Sequence, residues 1–224
     1  MPLSVYVVAA ALGLAVLALL RLNLRAATAR KAARAGYFAR VAPLFDAPRT
    51  RAEPSGFARM AGKWQGHSFD LQILPDTLTY RKLPSLWLMV TLTEAQPVQG
   101  QMHIMARPGQ NDTFSHFAEM PVSVPLPPGF PEFCALRCDN ADLLPPQGLV
   151  ATQAGLFANP LVKELVISPK GLRIVLLAEE ADRGRYLIFR DAEMGQLPLD
   201  PARLLPILAA LQALSQALKD PTHD

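Results

Sequence analysis

Side chains suited to acid–base or metal chemistry are few in this sequence. The 224 residues include only four histidines, His67, His103, His116 and His223. No two of them have HExxH, HxH or HxxxH spacing, so the zinc-binding patterns of helices are absent. His103 falls on the polar face of a predicted strand, and His67 and His116 fall in turn-like stretches. We expect exposed histidines and no metal site, unless one of these three meets a carboxylate in the folded domain.

The two cysteines lie four residues apart, as Cys134 and Cys138 in the sequence CALRC. This segment has the composition of a strand, on which positions i and i+4 lie about 13 Å apart. A disulfide allows a Cα separation of only about 7 Å. The spacing therefore predicts two buried free thiols, which suit a reducing compartment, and it disfavours a disulfide, redox or metal pair.

Patterns that indicate nucleophilic or nucleotide chemistry are also missing. The sequence has no GxSxG, GxGxxG or GxxxxGK(S/T) motif. A small acidic cluster at Glu179, Glu180 and Asp182 is predicted to be a solvated turn. We therefore predict no catalytic residue, no metal and no cofactor, and a non-enzymatic role is favoured over an enzyme.

The N-terminal segment indicates a membrane anchor. Residues 2–20 carry no charged side chain. As a helix they would be about 28 Å long, close to the thickness of the hydrocarbon core of a bilayer. A cleaved signal peptide would have basic residues before a shorter apolar stretch. Here basic residues only follow the stretch, beginning at Arg21, so we predict a retained transmembrane helix over residues 1–20.

Charge is distributed unevenly along the chain. The total of 22 Lys plus Arg against 19 Asp plus Glu leaves a net charge of only +3. Residues 21–63 alone carry +8, from ten basic and two acidic residues, whereas residues 64–224 carry −5, from twelve and seventeen. Basic residues beside a span stay on the cytoplasmic side. The pattern predicts a single-pass inner-membrane protein with its N-terminus outside and its C-terminal domain in the cytoplasm.

Residues 21–42 form a basic juxtamembrane segment that is rich in the helix-favouring residues Ala, Arg and Leu. We predict that the transmembrane helix continues into it and ends near Gly36 or Pro43. Contact with anionic lipid head groups is one interpretation of its charges, although fixing the topology is the favoured one. Nucleic acid is not an expected partner, because few aromatic residues accompany the charges. The residues predicted for lipid contact are Arg21, Arg25, Arg30, Lys31 and Arg34.

The rest of the chain predicts an α+β fold. Residues 43–56 have the composition of a linker, and residues 57–224 indicate a soluble, mainly antiparallel β-sheet domain with a C-terminal helix. Asp200 predicts the N-cap of that helix, and Pro206 a kink or restart within it. A turn is predicted at Pro75-Asp76. The strands are predicted at 68–74, 77–81, 86–92, 101–107, 120–126, 132–138, 164–167, 172–178 and 185–190.

A contact surface is one interpretation of the loop that contains Tyr80, Arg81 and Lys82 and leads to Trp87. Aromatic residues and Arg are enriched at protein interfaces. The favoured interpretation is a tight connection between two strands that places Trp87 in the core. The C-terminal helix has a wide apolar face and is expected to pack on the sheet rather than in the groove of a partner.

Two stretches, FCALRCDNADLL at 133–144 and LVISPKGLRIV at 165–175, follow the single anchor and the basic helix. With these features the chain resembles bacterial membrane-anchored domains of unknown function. The resemblance covers residues 130–190 and rests on hydrophobic pattern, and it implies no activity and no site residues.

These observations together lead to an expected function. The protein is expected to be a non-enzymatic membrane-tethered module, an accessory or scaffold subunit of an inner-membrane complex. Its expected partners are membrane lipid and either another protein or a second copy of the chain. The alternative is a membrane-anchored enzyme or small-ligand-binding domain whose site forms only on folding. A weaker alternative is a lipid-surface sensor that acts through residues 21–40.

Overall fold

A long N-terminal helix leads directly into a folded domain. Helix α1 spans Leu3–Ala35 without interruption. It continues through the basic segment and ends just before Gly36, as predicted. Its apolar part is long enough to cross a membrane, judged by length and composition. The computed structural model describes residues 3–77, 83–109, 112–189 and 192–220.

The domain is built on one sheet of nine strands, and all the pairings are antiparallel, as predicted. The order across the sheet is β1-β2-β3-β4-β9-β8-β5-β7-β6, so β4, β9 and β8 are central and β1 and β6 form the edges. The strands in chain order are β1 (Asp46–Ala52), β2 (Ala58–Trp64), β3 (His67–Asp76), β4 (Ser85–Leu92), β5 (Met102–Ala106), β6 (Val122–Val124), β7 (Cys134–Cys138), β8 (Val162–Ser168) and β9 (Gly171–Glu180).

The C-terminal helix forms where the sequence predicts it. Asp200 accepts a hydrogen bond from the Ala202 N–H at 3.0 Å, which caps the helix. The helix is continuous through Pro206, so the predicted restart is wrong, and a kink there stays a prediction. The carbonyl that loses its partner belongs to exposed Ala202, where water can satisfy it. The helices after α1 are α2 (Gln147–Thr152), α3 (Arg183–Phe189) and α4 (Pro201–Lys219).

One face of the sheet carries the main hydrophobic core. Helix α4 packs across β4 and β9 and buries Leu204, Leu208 and Leu211 completely, as expected for core packing. Tyr37 and Phe38, directly after α1, are also buried in this core. The segment that follows α1 directly is therefore part of the folded domain.

The opposite face of the sheet is covered over only part of its area. This cover is the segment 112–121, between β5 and β6. Its side chains Phe114 and Phe117 pack against Met105 and Val175 in a second, smaller hydrophobic cluster. The segment includes a single 3-10 turn, Phe117–Glu119. This cover decides which polar residues of the second face are buried.

The sequence-based organisation differs from the structure at the start of the domain. Residues 43–56, which have the composition of a linker, contain β1 and part of a 3-10 turn, Ala42–Leu44. Every residue of β1 is exposed, and Pro48 is tolerated because the strand lies at a sheet edge. Polar composition here reflects an edge position rather than a disordered connection.

Two further local predictions are wrong. The predicted strand 185–190 is wrong over its described residues, because α3 occupies 183–189 and begins after Asp182, which accepts from the Arg185 N–H at 2.7 Å. Pro75 lies inside β3 and does not form a turn. Strand β2 pairs with β3 only as far as Gln72, so the edge next to Pro75 needs no N–H donor. Most of the predicted strand 77–81 lies outside the described residues.

Candidate functional site

Helix α1 presents an apolar surface that nothing in the described part of the chain covers. Its most apolar stretch has a mean hydropathy of 2.2 and no buried residue. The large apolar side chains from Tyr6 to Leu24 are each more than half exposed. Aqueous exposure of so many apolar side chains is unfavourable, and burial in lipid removes it.

The five basic residues predicted for lipid contact divide into two groups. Arg21, Arg25 and Lys31 are exposed, whereas Arg30 and Arg34 are partly buried. The Arg34 guanidinium lies over the Phe57 ring at 5.3 Å, a cation–π contact that joins α1 to the domain. The exposed three are free to meet head groups, and lipid contact stays a prediction for all five.

The junction between α1 and the domain is well packed. Tyr37 is 1% exposed, and its carbonyl accepts from the Leu199 N–H at 2.8 Å. Burial, and secondarily the charge of Glu179, raises the pKa of the Tyr37 phenol to about 12. The Tyr37 ring also meets the Phe57 ring edge-on at 6.1 Å. Helix α1 therefore enters the domain at a fixed position.

The predicted contact loop is only partly visible. Tyr80, Arg81 and Lys82 lie outside the described residues, so their role stays a prediction. Trp87 lies in β4, and its ring packs on Phe114 at 4.5 Å between centroids. Trp87 therefore belongs to the packing of the second sheet face, which is the favoured interpretation of this residue.

A buried His–Glu pair lies on the second sheet face, which sequence reasoning missed. The His103 Nδ1 is 2.7 Å from the Glu164 Oε1, and their side chains are only 3% and 1% exposed. The expectation of an exposed His103 is therefore wrong. Strand β5 is flanked by β7 and β8, and residues 112–121 cover its second face.

Two more side chains complete this network. The Ser115 hydroxyl donates to the same Glu164 oxygen, and the Phe117 N–H donates to the Ser115 oxygen at 2.9 Å. The Gln101 Nε2 lies 2.7 Å from the His103 Nε2. A carboxylate only accepts, so the imidazole proton is on Nδ1 and Nε2 accepts from Gln101. Both imidazole nitrogens are thus engaged by the protein.

This arrangement differs from a nucleophilic triad. In a triad the serine hydroxyl donates to histidine and the histidine donates to the carboxylate. Here Ser115 and His103 both donate to Glu164, so the imidazole is not placed to take a proton from the serine. The network connects β5, β8 and residues 112–121 by hydrogen bonds. A pocket lies beside this network.

The pocket has a volume of about 220 Å³ and opens next to this network. Its lining includes Thr91 and Arg173 from the sheet, His116 from the covering segment and Lys170 from the β8–β9 turn. The Arg173 Nε donates to the Thr91 Oγ1 at 3.0 Å, which orients the guanidinium. A small polar ligand is the kind of molecule that such a lining can hold.

The other histidines lie outside buried networks. His116 is 70% exposed in its side chain and meets the Glu119 carboxylate at 3.0 Å. His67 is partly exposed and meets the Glu94 carboxylate at 3.1 Å. Burial raises the pKa of Glu94, but the Ser68 N–H and His67 outweigh it and hold that pKa below its usual value. His223 lies outside the described residues.

The cysteines lie on a strand, as predicted. Both are free thiols on β7, with Cys138 buried and Cys134 partly buried. Burial raises the pKa of each thiol, so both stay protonated and unreactive at neutral pH. Among the described residues, no group of three or more His, Cys, Asp or Glu side chains is placed to hold a metal ion.

Glu164 was the strongest missed signal in the sequence. It is the one acidic residue in the strand VKELVIS, and a buried carboxylate needs donors. The sequence does not say which donors meet it, because His103 and Ser115 are 61 and 49 residues away. Comparison of the chain with protein-family models, curated proteins and solved structures found no match.

Proposed function

We propose that this protein is a non-enzymatic membrane-tethered module, an accessory or scaffold subunit of an inner-membrane protein complex with its α+β domain in the cytoplasm. The observation that carries the proposal is the exposed apolar helix α1, which continues without a break into the core of the domain. Such a helix satisfies its own backbone in lipid and holds the domain close to the membrane.

The junction supports a retained anchor. Arg34 stacks on Phe57, and Tyr37 is buried immediately after the helix. Residues 21–37 would therefore stay with the domain even if the apolar stretch were removed. Their basic charges also support a cytoplasmic position for the domain.

The hydrogen bonds of His103 to other protein groups support a role without acid–base catalysis. General acid–base catalysis needs a side chain within hydrogen-bond reach of the substrate proton. Both nitrogens of His103 contact protein groups, and the side chain is 3% exposed. The network is better suited to holding structure than to transferring protons.

The surface that best fits a protein partner is the membrane segment of α1. Both sheet edges are poor templates for strand addition, because β1 carries Pro48 with two arginines and β6 has only three residues. The apolar face of α4 is already buried. In α1 the small residues Ala9, Ala10, Ala11, Gly13 and Ala15 would let another helix pack closely.

Membrane residence and topology are tested first on the full-length protein. We expect it to remain in the membrane fraction after an alkaline wash. A reporter fused after Asp224 is expected to be active only in the cytoplasm. Release by the wash, or activity of a periplasmic reporter at that position, would contradict the proposal.

The partner interface is tested by substitution within the span. Gly13→Leu fills space that is open around Gly13 and would block close helix packing. Gentle detergent extraction followed by sizing and mass spectrometry should find wild-type protein in a complex, and Gly13→Leu protein without it. Leu14→Ile is the matched control, because it keeps an apolar side chain of equal size. A wild-type monomer without a partner would refute the scaffold role.

A second candidate function is a membrane-anchored domain that binds a small ligand. The specific observation that favours it is the pocket beside the His103–Glu164 pair. The two functions are compatible, since a scaffold can respond to a ligand.

A further inference from the structure

We propose that the pocket beside His103 binds a small oxyanion, a phosphate or carboxylate group, through Arg173 and Lys170. This inference rests on the second candidate function and not on membrane anchoring. It assigns a ligand class to a site that the sequence patterns do not reveal.

The first argument is that two basic side chains of the pocket have no carboxylate partner. Arg173 and Lys170 both line the pocket. Within the described part of the chain, neither side chain has a carboxylate within 4.0 Å. Asp70, on the strand next to Thr91, is already bound by the Arg59 Nε at 2.8 Å. The two cations therefore remain available to an anion.

The second argument is the orientation of Arg173. Its Nε donates to the Thr91 Oγ1, which holds the guanidinium above the sheet. No other hydrogen bond of this side chain is found among the described residues, so both Nη groups are free to donate. A guanidinium offers paired N–H groups that match the two oxygens of a carboxylate or phosphate.

The third argument concerns Glu164, the carboxylate that also lines the pocket. Its side chain is 1% exposed, and one of its oxygens already accepts from His103 and Ser115. These donors stabilise its negative charge. The outer part of the pocket is thus left to the donors Arg173, Lys170 and Thr91.

The fourth argument is size. The pocket has a volume of about 220 Å³. Drug-sized ligands occupy pockets of about 300–1,000 Å³, so this one suits a small ion or a small metabolite bearing one anionic group. A larger ligand would have to extend into solvent past Lys170, which is exposed.

The test uses the full-length protein in detergent, with sodium phosphate and sodium acetate as separate probes. Sodium chloride at matched ionic strength is the baseline. We expect one or both oxyanions to raise the Tm of the wild-type protein above this baseline. At a ten-fold excess over Kd the rise would be about 3–6 °C for a chain of this size. A larger rise in Tm with one of the two probes would identify whether the pocket prefers a phosphate or a carboxylate group.

Three variants decide whether the pocket is responsible. Arg173→Gln should weaken binding at least ten-fold, roughly the loss of one charge-assisted contact. Lys170→Gln, at an exposed turn, should weaken binding without affecting folding and serves if Arg173→Gln is unstable. Arg49→Gln is the matched control. Arg49 is exposed and lies in the same cross-strand row as Arg173, four strands and about 19 Å away.

The outcomes are distinct. Loss of the Tm rise in the Arg173 or Lys170 variant, with the rise kept in the Arg49 variant, supports the site. No rise in the wild-type protein up to about 20 mM of either oxyanion, a range covering millimolar Kd, overturns it. An equal rise in all variants also overturns it. Because the same samples are checked for membrane residence, failure here is distinguishable from failure of the anchor.

Discussion

Truncation of Glu164 tests whether the buried network holds residues 112–121 on the sheet. Glu164→Ala would leave the His103 Nδ1–H and the Ser115 hydroxyl without their acceptor in a buried site. Each buried donor left without an acceptor costs about 1–3 kcal/mol, so the two donors together cost about 2–6 kcal/mol. For a chain of 224 residues, this corresponds to a fall in Tm of about 4–24 °C, at roughly 2–4 °C per kcal/mol.

Glu164→Gln separates the loss of an acceptor from the loss of charge. The amide oxygen can still accept from His103 and Ser115, but the two bonds become neutral. Charged hydrogen bonds contribute about 1.5–3 kcal/mol and neutral ones about 0.5–1.5 kcal/mol. We therefore expect Glu164→Gln to be destabilising by less than Glu164→Ala. Glu119→Ala is the control, because its carboxylate is 71% exposed and pairs only with exposed His116.

The assay is thermal unfolding of the full-length protein in detergent at a fixed scan rate, followed by circular dichroism. Chymotrypsin supplies a local readout, since it cleaves after aromatic residues such as Phe114 and Phe117, which are buried in the wild-type protein. Glu164→Ala should speed cleavage at these sites below the Tm. Equal Tm values for Glu164→Ala and Glu119→Ala would refute the reasoning.

Three other predictions follow from local geometry. The lowered pKa of Glu94 means that its stabilisation is present above the unfolded pKa of about 4.3 and is lost as the pH falls through the folded pKa. Glu94→Gln should therefore lose less Tm than wild type as the pH falls from about 5 to about 3. Cys134 and Cys138 have raised pKa values, so iodoacetamide should label them slowly at pH 7 and quickly after unfolding, as measured by mass spectrometry. Gly171→Ala should lower the Tm strongly, as measured by calorimetry, because φ is +152° and the new Cβ would lie 2.3 Å from the Leu92 carbonyl oxygen. Gly66→Ala is the comparison: its new Cβ would meet open space, so we expect a smaller fall in Tm.

Several elements could be predicted because their causes lie close together in the chain. The uncharged stretch 2–20 followed by basic residues predicts a long helix, and α1 is that helix. Asp200 identifies the start of α4 through its cap. Alternation identifies β3, β5 and β6, since side chains point to opposite faces with a period of two.

Two other local features were misinterpreted. Residues 185–190 have the apolar and aromatic composition of a strand, but the Asp182 side chain accepts from the Arg185 N–H and helix α3 begins there instead. Pro75 lies within β3 because β2 ends before reaching it. A single-sequence pattern carries no information about where a neighbouring strand stops.

The candidate site depended on tertiary structure entirely. The alternation of β5 places His103 on the polar-looking face, but it does not say whether that face meets water. Residues 112–121 cover it and supply Ser115, while β8 supplies Glu164 from 61 residues along the chain. The sequence by itself determined the long apolar N-terminal helix, the charge asymmetry and most of the sheet-forming segments, because these depend on composition and short-range periodicity. Only the tertiary structure decided which histidine is buried and where Arg173 meets a pocket, because burial is set by segments distant in sequence that happen to pack together.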